Sequence, residues 1–179
     1  ALIEKKYNSI RKSYTGLTPD EQLFIRNEIL LSRCDFRYFT RYLRILLDDE
    51  TGEEGPLTLW SAQERLVRKV GEVELQLFNY LDAGRKRLDG NCWYTHKRRQ
   101  GGVSTICQAF GVHRTALWSN MNGLAGSTDK DMVEELYQNY YYFMLERLPR
   151  WMQPERTADT KDVGVAFANG SKVILQNAA

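Results

Sequence analysis

The sequence predicts an α/β chain, a parallel sheet flanked by helices with a helical appendage in front of it, and three observations predict it. Residues 91–105 (NCWYTHKRRQGGVST) read as a short β-prone run, a basic turn with two glycines and the first turn of a helix. Residues 115–119 (TALWS) read as a second buried strand after that helix, and strand, helix, strand implies a parallel crossover unit. Two amphipathic helical patterns precede any strand signal. A strand that runs through a glycine loop into a helix is the phosphate-binding passage of a P-loop NTPase-type sheet, so that is the sheet expected. With 179 residues the chain has enough length for one ordinary core, or one domain with an appendage.

Taken in order, Thr18-Pro19-Asp20-Glu21 combines a capping box with proline at the first helical position, so a helix starts there and turns Leu23, Phe24, Leu30 and Leu31 inward. A second helix from Asp35 buries Phe36, Phe39, Tyr42, Leu43 and Leu46. Residues 48–56 form an acidic, glycine-containing loop and the internal boundary, leaving residues 1–56 as the helical appendage. The next helix opens at Trp60, with Ser61 and Glu64 as its capping box and Leu66, Val67, Val70, Val73, Leu77 and Leu81 as its core face. A polar linker over 82–90 leads to the glycine loop and a helix as far as His113. After the strand at 115–119, residues 120–128 read as a loop. Residues 129–148 read as a long helix with Met132, Leu136, Tyr140, Phe143 and Met144 as its apolar stripe, ended by Pro149. A hairpin closes the readable part: 163–168, an Asn169-Gly170 type I′ turn, and 172–175.

Composition excludes several classes. No apolar run approaches the roughly 18 residues of a membrane span. Three scattered cysteines without a C-x-x-C pair argue for a reduced compartment, and Cys92, His96 and Cys107 lack zinc-ligand spacing. A net charge of +2 does not by itself indicate nucleic acid.

The chemistry concentrates in the glycine loop. Aligned on Gly102, the ordinary G-x-x-x-x-G-K-[ST] pattern puts Val103 where lysine should stand and Ser104 at the Mg²⁺-binding hydroxyl. Lys97 occupies the slot of the first glycine, giving K-x-x-x-x-G-x-S-T, and can supply the missing charge from the other end of the motif. A basic surface turn is the plainer alternative. Gln63, at the first turn of the preceding helix, is either a solvated helix-start glutamine or a group that donates to and accepts from an adenine edge.

Trp60-x-x-Gln63, the run 97–105 (KRRQGGVST), Leu148-Pro149-x-Trp151 and Asn169-Gly170-Ser171 resemble, in this order and spacing, the ATPase domain of the large terminase subunit of tailed bacteriophages. The resemblance covers roughly residues 57–179, the glycine loop being its most specific part. It implies an incomplete P-loop sheet here, because family members follow the hairpin with an apolar strand ending in Asp-Glu and then with a nuclease domain. The chain is therefore expected to be the N-terminal part of a longer motor protein, binding nucleotide without hydrolysing it alone. Residue by residue, the resemblance makes Lys97 the displaced lysine on the β- and γ-phosphates and Arg99 a γ-phosphate contact. The segment Arg98, Gln100, Gly101, Gly102 and Val103 wraps the phosphates, Ser104 holds Mg²⁺ with Thr105 beside it, and Gln63 contacts adenine. ATP and Mg²⁺ are the implied cofactors. Double-stranded DNA, the portal protein and the small terminase subunit are the implied partners, in a homo-oligomeric ring on the procapsid, in the host cytoplasm and without a membrane. Two other readings compete: a helicase-like DNA translocase, and a non-hydrolytic module in which residues 85–87 and 97–99 meet nucleic-acid phosphates directly.

Overall fold

A computed structural model describes residues 17–48, 50–82, 102–127, 129–160 and 164–177. The predicted strand at 92–95 and the loop residues Lys97, Arg98, Arg99, Gln100 and Gly101 lie outside them. Among the described residues the fold is mixed α/β, with helices and two small sheets, and the chain divides into two compact units: Ala1–Leu57 with Cys107–Ala179, and Thr58–Ile106.

In the larger unit, α1 (Pro19–Cys34) starts as its sequence requires: Thr18 Oγ1 accepts the Glu21 amide at 3.3 Å while the Thr18 amide donates to Glu21 Oε2 at 3.0 Å. Its inward face differs from the expectation. Ile25 and Ser32 are buried, whereas Leu23, Leu30 and Leu31 are 57, 58 and 47 % exposed. Leu23 and Leu30 stand two residues before Ile25 and Ser32, about 200° around the helix, so the two pairs cannot share a face.

Asp35 ends α1 and caps α2 (Phe36–Thr40), accepting the Arg37 amide at 2.8 Å. The second helix is therefore only five residues long. Beyond it the amides of Arg41, Tyr42 and Leu43 bond three residues back, and the chain extends into β1 (Arg44–Asp48), antiparallel to β2 (Glu53–Pro56). Tyr42, Leu43 and Leu46 fall at helical spacing by coincidence, and the expected loop at 48–56 is largely this hairpin, turning through Gly52. Phe36 stacks on Phe110, with centroids 3.9 Å apart, and Phe39 is fully buried beside them.

Helix α4 (Val103–Leu117) runs past His113 and absorbs the strand expected at 115–119. Ile106, Ala109, Val112, His113 and Leu117 are all buried at helical spacing, and Thr115 Oγ1 donates back to Gly111 O at 2.8 Å, so the 3.6 period continues through the segment. Asn120, at φ 58°, reverses the chain. The strand comes later, as β3 (Asn122–Ser127), inside what reads as a glycine loop. It pairs in parallel with β6 (Lys172–Asn177), which is antiparallel to β5 (Gly164–Phe167), itself antiparallel to β4 (Arg156–Thr160). The sheet order is β3-β6-β5-β4. Strand β4 was not expected, because its polar sequence lacks the alternation of a half-buried strand.

Between β3 and β4 lie α5 (Lys130–Glu135), a π-helical segment (Leu136–Tyr142) and α6 (Phe143–Glu146). The buried stripe is Val133, Tyr137, Tyr141, Phe143, Met144, Leu145 and Leu148; of the residues assigned inward by spacing, Phe143 and Met144 are buried, Leu136 and Tyr140 half-buried, and Met132 is 50 % exposed. The wide i→i+5 turns of the π segment explain the shift, since they bring Tyr137 and Tyr141 into line with stacked rings 5.8 Å apart. The Tyr141 hydroxyl meets Thr115 Oγ1 at 2.6 Å, and burial raises its pKa.

The hairpin between β5 and β6 has a different turn from the one expected. Type I′ needs positive φ at both central residues, but here only Gly170 (φ 80°) has it. Bonds from Phe167 N to Ser171 O (2.9 Å) and Gly170 N to Phe167 O (3.0 Å) describe a three-residue loop with a glycine bulge. Its side chains fasten the end of α4: Asn169 Nδ2 donates to Thr115 O and Trp118 O at 2.9 and 3.0 Å, and Ser171 Oγ donates to Trp118 O at 2.9 Å.

In the smaller unit, α3 (Ser61–Asp82) buries Gln63 and Val67, with Leu66 and Val70 half-buried. The side chains of Val73, Leu77 and Leu81 lie outside the described residues. Among the described residues no helix is long and apolar enough to cross a membrane.

Candidate nucleotide site

The site is built where α3 and α4 begin. Helix α3 makes its first helical bond from Glu64 N to Trp60 O at 2.8 Å, so Trp60 takes the cap position and Gln63 is the third helical residue. Gln63 Oε1 accepts the Trp60 amide at 2.8 Å, which is the backward half of a capping box. The box expected from Ser61 and Glu64 is thus displaced by one residue, because glutamine satisfies the same donor from that position.

The other end of the Gln63 amide reaches across the chain. Nε2 donates to Gly102 O at 3.2 Å, and Gln63 is only 4 % exposed. Gly102 has φ 65°, and a Cβ there would lie 2.3 Å from Gln63 Nε2. Both the backbone conformation and the approach of the amide require glycine. The Gly102 carbonyl also accepts the Ile106 amide at 3.2 Å, which opens α4. Val103, Ser104 and Thr105 therefore form the first turn, at positions whose amides an α-helix leaves without an intrahelical carbonyl. All three are half-buried. Such a turn carries partial positive charge and favours an anion.

Of the sequence-predicted site residues, Gln63, Gly102, Val103, Ser104 and Thr105 are thus brought together, and Lys97, Arg98, Arg99, Gln100 and Gly101 lie outside the described residues. Gln63 has one N–H and one carbonyl lone pair beyond the two bonds it makes, which is the pair an adenine edge would use. Trp60, 59 % exposed, borders the same turn, its ring 3.7 Å from where a Gly102 Cβ would stand.

Two features were missed from the sequence. The Gln63–Gly102 bond joins residues 39 apart, and nothing local signals it. Asn169 and Ser171 carry only turn chemistry in the sequence, whereas their side chains hold the end of α4. Of the arginines that follow the long helix, Arg156 pairs with Glu146 and donates to the Tyr142 hydroxyl at 2.7 Å, and Arg150 donates to Gln153 Oε1 at 3.2 Å. Compared with models of known protein families and with curated proteins, the chain matches none.

Proposed function

We propose that this chain is the ATP-binding part of the large terminase subunit of a tailed bacteriophage, the motor that couples ATP hydrolysis to translocation of double-stranded DNA into procapsids. The observation that carries the reading is the Gly102 turn: a left-handed glycine that follows the basic run 97–99 in the sequence, buttressed by Gln63 and opening a helix whose first turn holds Ser104 and Thr105. The four-stranded sheet, with β3 parallel to β6, is read as part of an incomplete P-loop NTPase-type parallel sheet. Residues 1–56 are read as the helical appendage and 57–179 as the N-terminal part of the ATPase domain.

The residues fit a phosphate with its metal ion. The first turn of α4, Val103 to Thr105, presents amides that an α-helix leaves without an intrahelical carbonyl, and the Ser104 hydroxyl is the hard oxygen donor that Mg²⁺ accepts. Bound Mg²⁺ supplies positive charge against the β- and γ-phosphates. Lys97 and Arg99 act as the catalytic cations, holding the triphosphate and neutralising the charge that develops on it. Arg98, Gln100, Gly101, Gly102 and Val103 line the phosphates, Thr105 supports Ser104, and Gln63 reads adenine with its remaining N–H and lone pair. The protein works in the host cytoplasm as a ring on the procapsid, with the portal protein and the small terminase subunit as partners. Hydrolysis is assigned to the intact motor protein.

Steady-state ATP hydrolysis by the intact motor protein tests the reading: Lys97→Ala is expected to lower turnover by roughly 100-fold or more. Unchanged turnover overturns it.

A further inference from the structure

A groove of about 510 Å³ runs along α1, in the larger unit, lined by Leu23, Arg26, Asn27, Ile29, Leu30 and Arg33 and sharing no residue with the nucleotide site. These positions recur at three- and four-residue steps and form one stripe about 15 Å long. Leu23 and Leu30 are more than half exposed on it, although the spacing of α1 would turn them inward. The stripe holds two guanidinium groups, one amide and no carboxylate. Glu28 stands on the other side of α1 from the two arginines, where its carboxylate accepts the hydroxyls of Tyr38 and Tyr42. Neither Arg26 nor Arg33 has an ion-pair partner among the described residues. Arg33 is held in place by Trp118, its guanidinium carbon 4.7 Å from the ring centroid.

We propose that this face of α1 docks an acidic amphipathic helix of a partner protein. Its leucines would cover Leu23, Ile29 and Leu30, and its carboxylates would meet Arg26 and Arg33, which lie between Ile29 and the two leucines around the helix. Apolar anchors at i, i+3, i+4 and i+7 in a groove are the usual way one helix recognises another, and the two arginines choose the sign of the flanking charge. A nucleic-acid backbone suits the face poorly, since Ile29 on one side of the two arginines and Leu23 and Leu30 on the other offer a phosphate nothing. A second copy of the chain suits it poorly too. Laying two α1 helices antiparallel so that Leu23 meets Leu30 puts the two-fold axis between Arg26 and Asn27, which brings the two Arg26 guanidiniums together.

The test is fluorescence anisotropy with a labelled synthetic helix of about 18 residues, with leucines at i, i+3, i+4 and i+7 and glutamates beside them. A second probe has glutamine for every glutamate, and a third is a mixed-sequence DNA duplex. The acidic helix is expected to bind saturably and to weaken about tenfold in Arg26→Glu, about tenfold in Leu30→Gln, and about tenfold when its glutamates become glutamines. Both substitutions are at exposed positions, and circular dichroism confirms that each variant stays folded. No saturable binding of the acidic helix, equal binding of the glutamine probe, tighter binding of the duplex, or concentration-dependent self-association that Leu30→Gln abolishes would each overturn the proposal.

Discussion

Replacing Gly102 by alanine perturbs the candidate site at the one point where backbone and side chain both demand glycine. An L-residue at φ 65° costs about 1 kcal/mol relative to glycine. The new Cβ, 2.3 Å from Gln63 Nε2, also displaces the glutamine amide. Because that amide is the far end of a flexible side chain, the clash is relieved by losing its two hydrogen bonds, to Gly102 O and from Trp60 N, each worth about 1 kcal/mol net. The local cost is therefore about 2–3 kcal/mol, or roughly a 30- to 150-fold more populated open state. Hydrogen exchange at the Trp60 amide reports it, since that N–H is the one Gln63 protects. The exchange rate is expected to rise by that factor in Gly102→Ala. It should rise by less in Gln63→Ala, and the double variant should fall short of the sum by about 2 kcal/mol, because both changes break the same two bonds. Unchanged Trp60 exchange in Gly102→Ala, or strict additivity, would refute the coupling.

Acid should destabilise the larger unit through His113. Its Nε2–H donates to Ser32 O at 2.7 Å, its Nδ1 is buried without a partner among the described residues, and burial beside Phe36 and Phe39 lowers its pKa, with the Ser32 hydrogen bond and then Asp35 opposing. The unfolded chain takes up this proton near pH 6.5 and the folded chain only at lower pH, so stability is intact above about 6.5 and falls as the pH drops through that window, by up to about 1.4 kcal/mol per unit. Urea titrations at pH 7.5 and 5.5 should show that slope and its reduction in His113→Gln; an identical slope in the variant contradicts the assignment. Asn169→Ala removes two bonds to the end of α4 and one to Ser171 N, and should cost about 2–3 kcal/mol in urea unfolding; Ser171→Ala, which loses the bonds to Trp118 O and Met121 N, should cost about 1–2 kcal/mol. A neutral Asn169→Ala would mean that the hairpin does not anchor α4.

How much was legible from the residues depends on how local each cause is. The helix before Pro149 ends at Glu146, two residues short of the expected Leu148, whereas the Thr18–Glu21 capping box needs only neighbours and stands as read. The sheet does not. Strand β3, with two glycines and an alanine, has little strand propensity of its own and is extended because β6, with Val173, Ile174 and Leu175, pairs with it. Helix α4 overran its expected end because Thr115 satisfies its hydroxyl on Gly111 O rather than breaking the helix. Strand β1 was hidden by a chance helical spacing. At the candidate site, the glycine and the first-turn hydroxyls were readable from composition and order, whereas the buttress from Gln63 belongs to the folded chain alone.

The central claim is that the turn at Gly102 and the cations before it hold a nucleoside triphosphate. Isothermal titration of Mg²⁺-ATP into this chain tests it most directly. Saturable one-to-one binding that weakens about tenfold or more in both Lys97→Ala and Ser104→Ala is the expected result. No binding, or binding unchanged by both substitutions, would contradict the claim.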